Sequence, residues 1–288
     1  MKSEMKKKST LILVLISMLS GGCSFSGAGT EDYIPYDTLK AKQAAGIVLD
    51  PYTLSKVNAI IQVRATSNPV DAYQAINMIS GAFLGTPYRA NMLDGSESTP
   101  EKLVIDFRGL DCFTYLDYVE ALRKSNSQSE FVSNVIRGRY VDSNVDFLSR
   151  KHFFTDWGHG GDYKLADDIT SQISSNAENI EKKLNEKTDG TFYLPGLPVI
   201  KRNITYIPSG LIDEEVIGRL RSGDLIGIYT NLAGLDVTHV GFFISTERGH
   251  VLRHASSQKE NERVVDSPFM EYVAKTPGIV VLRARDSL

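Results

Sequence analysis

The chain reads as an α+β protein, with helix-forming segments first, a cysteine-bearing helix next and short strands last. Three observations predict this. Residues 53–83 carry dominant helical signals, with Ala72, Ala75, Ile76 and Ile79 spaced for one face. Residues 113–124 (FTYLDYVEALRK) place Leu116, Val119 and Leu122 at three-residue steps, a second one-sided helix. The C-terminal third then shifts to brief apolar runs separated by turn formers: 224–229 (DLIGIY), 239–245 (HVGFFIS), 250–254 (HVLRH) and 278–283 (GIVVLR). Helices gathered ahead of strands, rather than alternating with them, imply a small antiparallel sheet with helices packed on it.

At the N-terminus, Lys2, Lys6, Lys7 and Lys8 precede Leu11–Leu19, an apolar run too short to span a bilayer. Gly21-Gly22-Cys23 follows, so residues 1–22 have the plan of a secretory signal peptide. Cys23 is placed like the lipid-accepting cysteine of a bacterial lipoprotein, although Ser20 stands where such signals usually carry Leu. Ser24 after it points to the outer membrane, so the expected location is periplasmic, with membrane contact only through a lipid on Cys23. Residues 23–35 are small and polar, a tether, and 36–288 are expected to form a single enlarged domain.

Within that domain, Ser67-Asn68-Pro69 interrupts the helical stretch, with Asn68 as N-cap and Pro69 as first residue of a second helix. Gly85-Thr86-Pro87-Tyr88 turns the chain, and residues 91–101 form a polar loop. Residues 103–107 (LVIDF) are a short strand or extended lead-in to Asp111-Cys112. Residues 126–220 are the least regular part. There 166–187 reads as a polar helix, and Pro195, Pro198 and Pro208 punctuate a loop-rich stretch.

Loss of residues 1–22 removes four Lys and one Glu and moves the formal charge from −3 to −6, which leaves no basic footprint for nucleic acid. The two cysteines are Cys23 and Cys112. With Cys23 lipidated or removed, Cys112 has no internal disulfide partner and is a reactive thiol, a buried apolar residue or half of an intermolecular bridge.

Position favours the first of these. Cys112 opens a helix, where the positive end of the dipole favours a thiolate. His239 opens one strand and His254 closes the next, so an antiparallel pairing makes them neighbours at one sheet edge. A nucleophile, a base and a group orienting the base have that logic. No His, Cys or carboxylate spacing matches a zinc site, so neither metal nor cofactor is expected.

Asp111-Cys112, Gly223-Asp224-Leu225, His239-Val240-Gly241 and His254-Ala255-Ser256 occur in an order that resembles the NlpC/P60 superfamily of papain-like cysteine hydrolases. Gly85–Tyr88 is similar to the segment ahead of the nucleophile there. Leu110–Thr114, Ser149–Phe153, Asp156-Trp157, Asp236–Gly241 and Arg253–Ser256 look most like its N-acetylmuramoyl-L-alanine amidase-like branch, over roughly residues 70–285. The long insert, about 126–220, sets that branch apart. The resemblance implies a papain-like fold with Cys112 as nucleophile, His239 as general base and acid, and His254 orienting His239. Tyr88 then lines the site and helps stabilise the oxyanion.

The implied substrates are peptidoglycan fragments (muramyl peptides), cut between N-acetylmuramic acid and L-alanine. Two rivals stay open: an endopeptidase cutting between D-Glu and the diamino acid, and a non-catalytic wall-binding lipoprotein. Asp111 is a helix cap or a substrate contact. Arg150, His152 and Trp157, crowded with Asp156, are expected to recognise stem-peptide carboxylates or the sugar. The alternative is an ordinary amphipathic surface with one buried Trp.

Overall fold

The computed structural model describes residues 47–69, 71–160 and 164–285, and Cys23 with its signal sequence and tether lies outside them. Strand β1 (Ile47–Val48) pairs in parallel with β2 (Leu103–Val104). Helix α1 (Pro51–Ser67) starts on Asp50, whose Oδ1 accepts the N–H groups of Tyr52 and Thr53. It ends at Asn68, which takes a left-handed conformation (φ 43°) and donates its N–H to the Arg64 carbonyl. Asn68 therefore closes a helix instead of opening one. Asn tolerates the left-handed region that ends helices, and the better N-cap, Asp71, opens α2 (Ala72–Gly81).

Helix α3 (Cys112–Arg123) begins at the cysteine itself, and α4 (Gln128–Arg139) follows with Ser127 as its cap. Two departures occur in the insert, which is more ordered than its composition implies. Helix α4 lies at its start. The stretch read as one polar helix is instead β3 (Ala166–Asp168), the short α5 (Thr170–Ile173) and β4 (Glu178–Leu184). Strand β4 (ENIEKKL) is exposed along most of its length, so it shows no apolar alternation. Its conformation comes from pairing along its whole length with β5 (Ile200–Pro208), a long-range choice that composition does not register.

The remaining elements are α6 (Glu214–Arg219), β6 (Leu225–Tyr229), β7 (Val237–Thr246), β8 (Gly249–Ser256), β9 (Arg263–Pro268), α7 (Phe269–Val273) and β10 (Gly278–Ala284). The four apolar runs are thus strands β6, β7, β8 and β10 of a larger sheet. That sheet has eight strands among the described residues, ordered β4-β5-β10-β6-β7-β8-β9 with β3 also on β10, and every pairing in it is antiparallel.

Both faces of the sheet centre are covered. On one, Val240, Phe242 and Ile244 of β7 join Ile76, Phe83, Tyr115, Val119 and Phe131 of the α1–α4 side. On the other, Phe243, Ile226 and Leu252 meet Val216 of α6 and Phe269 and Val273 of α7. Burial on both faces explains why β7 reads as a continuous apolar run. It also gives the strand end that bears His239 a packed support. No described helix is long and apolar enough to cross a membrane.

Candidate active site

Cys112 is placed by the turn before it. Tyr88 pairs with Leu110, and Pro87 pairs with Arg263 at the start of β9, so the Gly85–Tyr88 segment ties the cysteine's lead-in to the sheet. Asp111 then caps α3. Its Oδ1 accepts from the N–H groups of Phe113 and Thr114 and from Thr114 Oγ1, while Thr114 Oγ1 accepts the Asp111 N–H. Of the two roles considered for Asp111, the structure supplies the cap.

Cys112 is half-buried. The backbone N–H groups of Val240, Cys112 and Phe113 face its sulfur and favour the thiolate. Burial outweighs them, and with the Asp111 charge it pushes the thiol up to about 12. The expectation of a thiol activated by its helix position is therefore corrected: α3 pulls in the expected direction, but desolvation dominates.

Val240, whose N–H reaches the sulfur, is the residue after His239. The register of β7 on β8, from Phe242↔Arg253 to Thr246↔Gly249, brings His239 and His254 together. His239 Nε2 lies 2.7 Å from His254 Nδ1, with ring planes at 87°. Gly241 makes this approach possible, because a Cβ there would sit 2.9 Å from the Arg253 carbonyl oxygen and 2.9 Å from His254 Cβ. His254 is 1% exposed, and its Nε2 lies 3.0 Å from Ser267 Oγ on β9.

Burial holds both rings neutral, His239 down to about 3 and His254 down to about 4; the neighbouring ring adds to the effect at His239. Each neutral ring carries one proton. When His254 donates from Nε2 to Ser267 and accepts at Nδ1 from His239 Nε2, a lone pair is left on His239 Nδ1. Ser267 and Tyr272 are site neighbours that pattern reading missed. The Tyr272 ring centroid is 5.0 Å from that of His254, and burial followed by the Cys112 charge raises its phenol. Burial, then Cys112 and Asp111, likewise raises Tyr88, which places both phenols in the field of the sulfur.

The insert grips this region from one side. Asp236, three residues before His239 and 2% exposed, accepts the N–H and Oγ1–H of Thr155 at 2.8 and 2.9 Å. Arg202 donates to Thr155 Oγ1 and Asp156 Oδ1. Phe154 fills the space over Gly227, where a Cβ would come within 2.6 Å of its ring. Buried Lys182 on β4 donates to the carbonyls of Thr230, Leu232 and Leu235 in the loop that leads to β7.

Arg150, His152 and Asp156 share a cavity of about 290 Å³ with Arg202 and His159; neither Cys112 nor His239 lines it. Arg150 is paired with buried Glu101, and His152 Nε2 lies 2.7 Å from the Phe147 carbonyl. Trp157 is 1% exposed and sits in the core edge-on to Phe113, behind the cysteine. A direct substrate contact is thereby corrected to packing: the ring is covered by the helix it supports. Among the described residues no three His, Cys, Asp or Glu side chains cluster as metal ligands.

The fold and site together define an α+β protein, helices packed on an antiparallel sheet, of the kind found in amidase-like structures. A Bacteroides uniformis ATCC 8492 N-acetylmuramoyl-L-alanine amidase is 27% identical, with a TM-score of 0.64, over 74% of this chain and 98% of that one. Protein LPG0564 of Legionella pneumophila shares the fold at 23% identity and a TM-score of 0.65, over 82% and 97% of the two chains. A Bacteroides fragilis structure whose name proposes a xylanase matches at 27% identity and a TM-score of 0.60, over 71% and 98%. No curated protein matches the chain. The sequence profile of the AmiA-like, N-acetylmuramoyl-L-alanine amidase-like family matches residues 78–279. The chain belongs to that family.

Proposed function

We propose that this protein is a peptidoglycan amidase of the NlpC/P60 kind, using Cys112 to cleave the amide between N-acetylmuramic acid and L-alanine in muramyl peptides. The observation that carries the reading is the His239–His254 pair, 2.7 Å apart at the strand end whose next N–H meets the Cys112 sulfur. Family membership supplies the amide-hydrolase class and the peptidoglycan substrate.

With the thiol and both imidazoles neutral at rest, attack is assisted by a general base. His239 Nδ1 takes the thiol proton as sulfur bonds to the lactyl carbonyl carbon, and Val240 N–H and Tyr88 stand near the developing charge. The C–N bond then breaks, and His239 delivers its proton to the departing L-alanine nitrogen. Water, deprotonated by the same histidine, cleaves the thioester to a carboxylic acid and restores the thiol. His254 keeps His239 in the lone-pair-bearing tautomer, with Ser267 as its acceptor.

A glycoside hydrolase needs two carboxyl groups across its cleft. Among the described residues Glu271 is the single acid lining the cavity beside His239, which favours the amidase reading over a xylanase. In the cell, the enzyme is anchored to the outer membrane through a lipid on Cys23 and faces the periplasm. Incubation with N-acetylmuramoyl tripeptide, followed by mass spectrometry, tests the reading. Free sugar acid and intact tripeptide are expected, with none from Cys112→Ala. Full turnover by that variant, or a cut after D-Glu, overturns it.

A further inference from the structure

The acid that protonates a leaving amine stands on the leaving-group side of the scissile bond. His239 marks that side here, and a cavity of about 370 Å³ opens directly against it. Its wall includes His239, Thr238, Gln258, Glu271, Tyr272 and Lys275. The volume falls within the range of small-molecule sites. Lys275 and Glu271 are exposed, and neither makes an ion pair among the described residues. They stand four positions apart on the same wall, which thus offers one cation and one anion beside the catalytic histidine.

From this geometry we infer that the cavity receives the departing peptide, and that the Lys275 ammonium reads its first free carboxylate. The inference rests on the amidase reading. In that reaction the leaving fragment begins with L-alanine, and its second residue, D-Glu, carries a free α-carboxylate. The diamino acid beyond it bears an ammonium that complements Glu271. The cavity of Arg150 and His152 is excluded from this task, because its wall contains neither His239 nor Cys112 and Arg150 already holds Glu101.

The experiment uses the whole protein and three substrates: N-acetylmuramoyl-L-alanine, N-acetylmuramoyl-L-alanyl-D-glutamate and N-acetylmuramoyl-L-alanyl-D-isoglutamine. Only the second carries the carboxylate at the position in question. Wild-type kcat/KM is expected to favour D-glutamate over D-isoglutamine about tenfold, the size of one charge-assisted hydrogen bond. Lys275→Gln is expected to level the two through KM, and Lys275→Arg to keep the preference. Cleavage of all three substrates with equal kcat/KM, or a preference that survives Lys275→Gln, overturns the subsite and leaves the amidase reading intact. Failure to free N-acetylmuramic acid from all three overturns the amidase reading, and the subsite with it.

Discussion

The β7–β8 edge and the insert both fix His239, by opposite means. At the edge, His239 and His254 meet because two neighbouring strands pair in one register and Gly241 lets them approach. From the insert, Thr155 and Lys182 bind groups distant in sequence, Asp236 in one case and the Thr230, Leu232 and Leu235 carbonyls in the other. Backbone pairing sets the distance between the two imidazoles, whereas buried polar contacts hold the loop that delivers one of them. Damage at the edge should therefore fall mainly on turnover, and damage in the insert mainly on stability.

The strongest way to break this contrast is Gly241→Val. Its side chain collides with the β8 backbone, so kcat is expected to fall more than about 100-fold with a stability loss of about 1–3 kcal/mol. A variant that loses stability but keeps kcat refutes the edge's role. Asp236→Ala strips Thr155 of a buried acceptor and should cost about 2–3 kcal/mol in urea unfolding, with kcat reduced less than about tenfold. A larger kinetic than thermodynamic effect would place Asp236 with the edge.

Acid sharpens the comparison further. Both histidines are neutral in the fold, while an unfolded histidine protonates near 6.5. Stability is complete above that value. It falls as pH drops from 6.5 toward 4 and then 3, by up to about 1.4 kcal/mol per unit for each ring. Thermal unfolding across this window should show the loss, and His254→Gln should flatten it. The smallest expected effect is that of Ser267→Ala, about a fivefold fall in kcat with unchanged KM, restored by Ser267→Thr. A change confined to KM would remove Ser267 from the histidine chain.

The same contrast explains what the sequence made legible. Helix α3 and strands β6, β7, β8 and β10 announce themselves by apolar spacing, because their partners lie in the buried core. The meeting of His239 and His254 also follows from antiparallel pairing alone. Strand β4 does not, since its mostly exposed ENIEKKL has no apolar face to reveal and one of its two buried side chains, beside Leu184, is a lysine. Asp236, Ser267 and Tyr272 act through tertiary neighbours, which local pattern leaves unmarked. The direction of the Cys112 shift was hidden for a related reason: helix position is local, but desolvation depends on everything packed around the sulfur.

That raised thiol has a consequence for the lifetime of the enzyme. Thiolates attack peroxide and disulfides, and burial that pushes the thiol up keeps the thiolate scarce near neutral pH. Slow alkylation of Cys112 by iodoacetamide at neutral pH, quickening as the pH is raised, is the expected result. In the proposed reaction the sulfur becomes nucleophilic only when a bound amide and His239 take part. Burial would then trade speed for durability: the packing that deprives the resting sulfur of charge also shields it from oxidants.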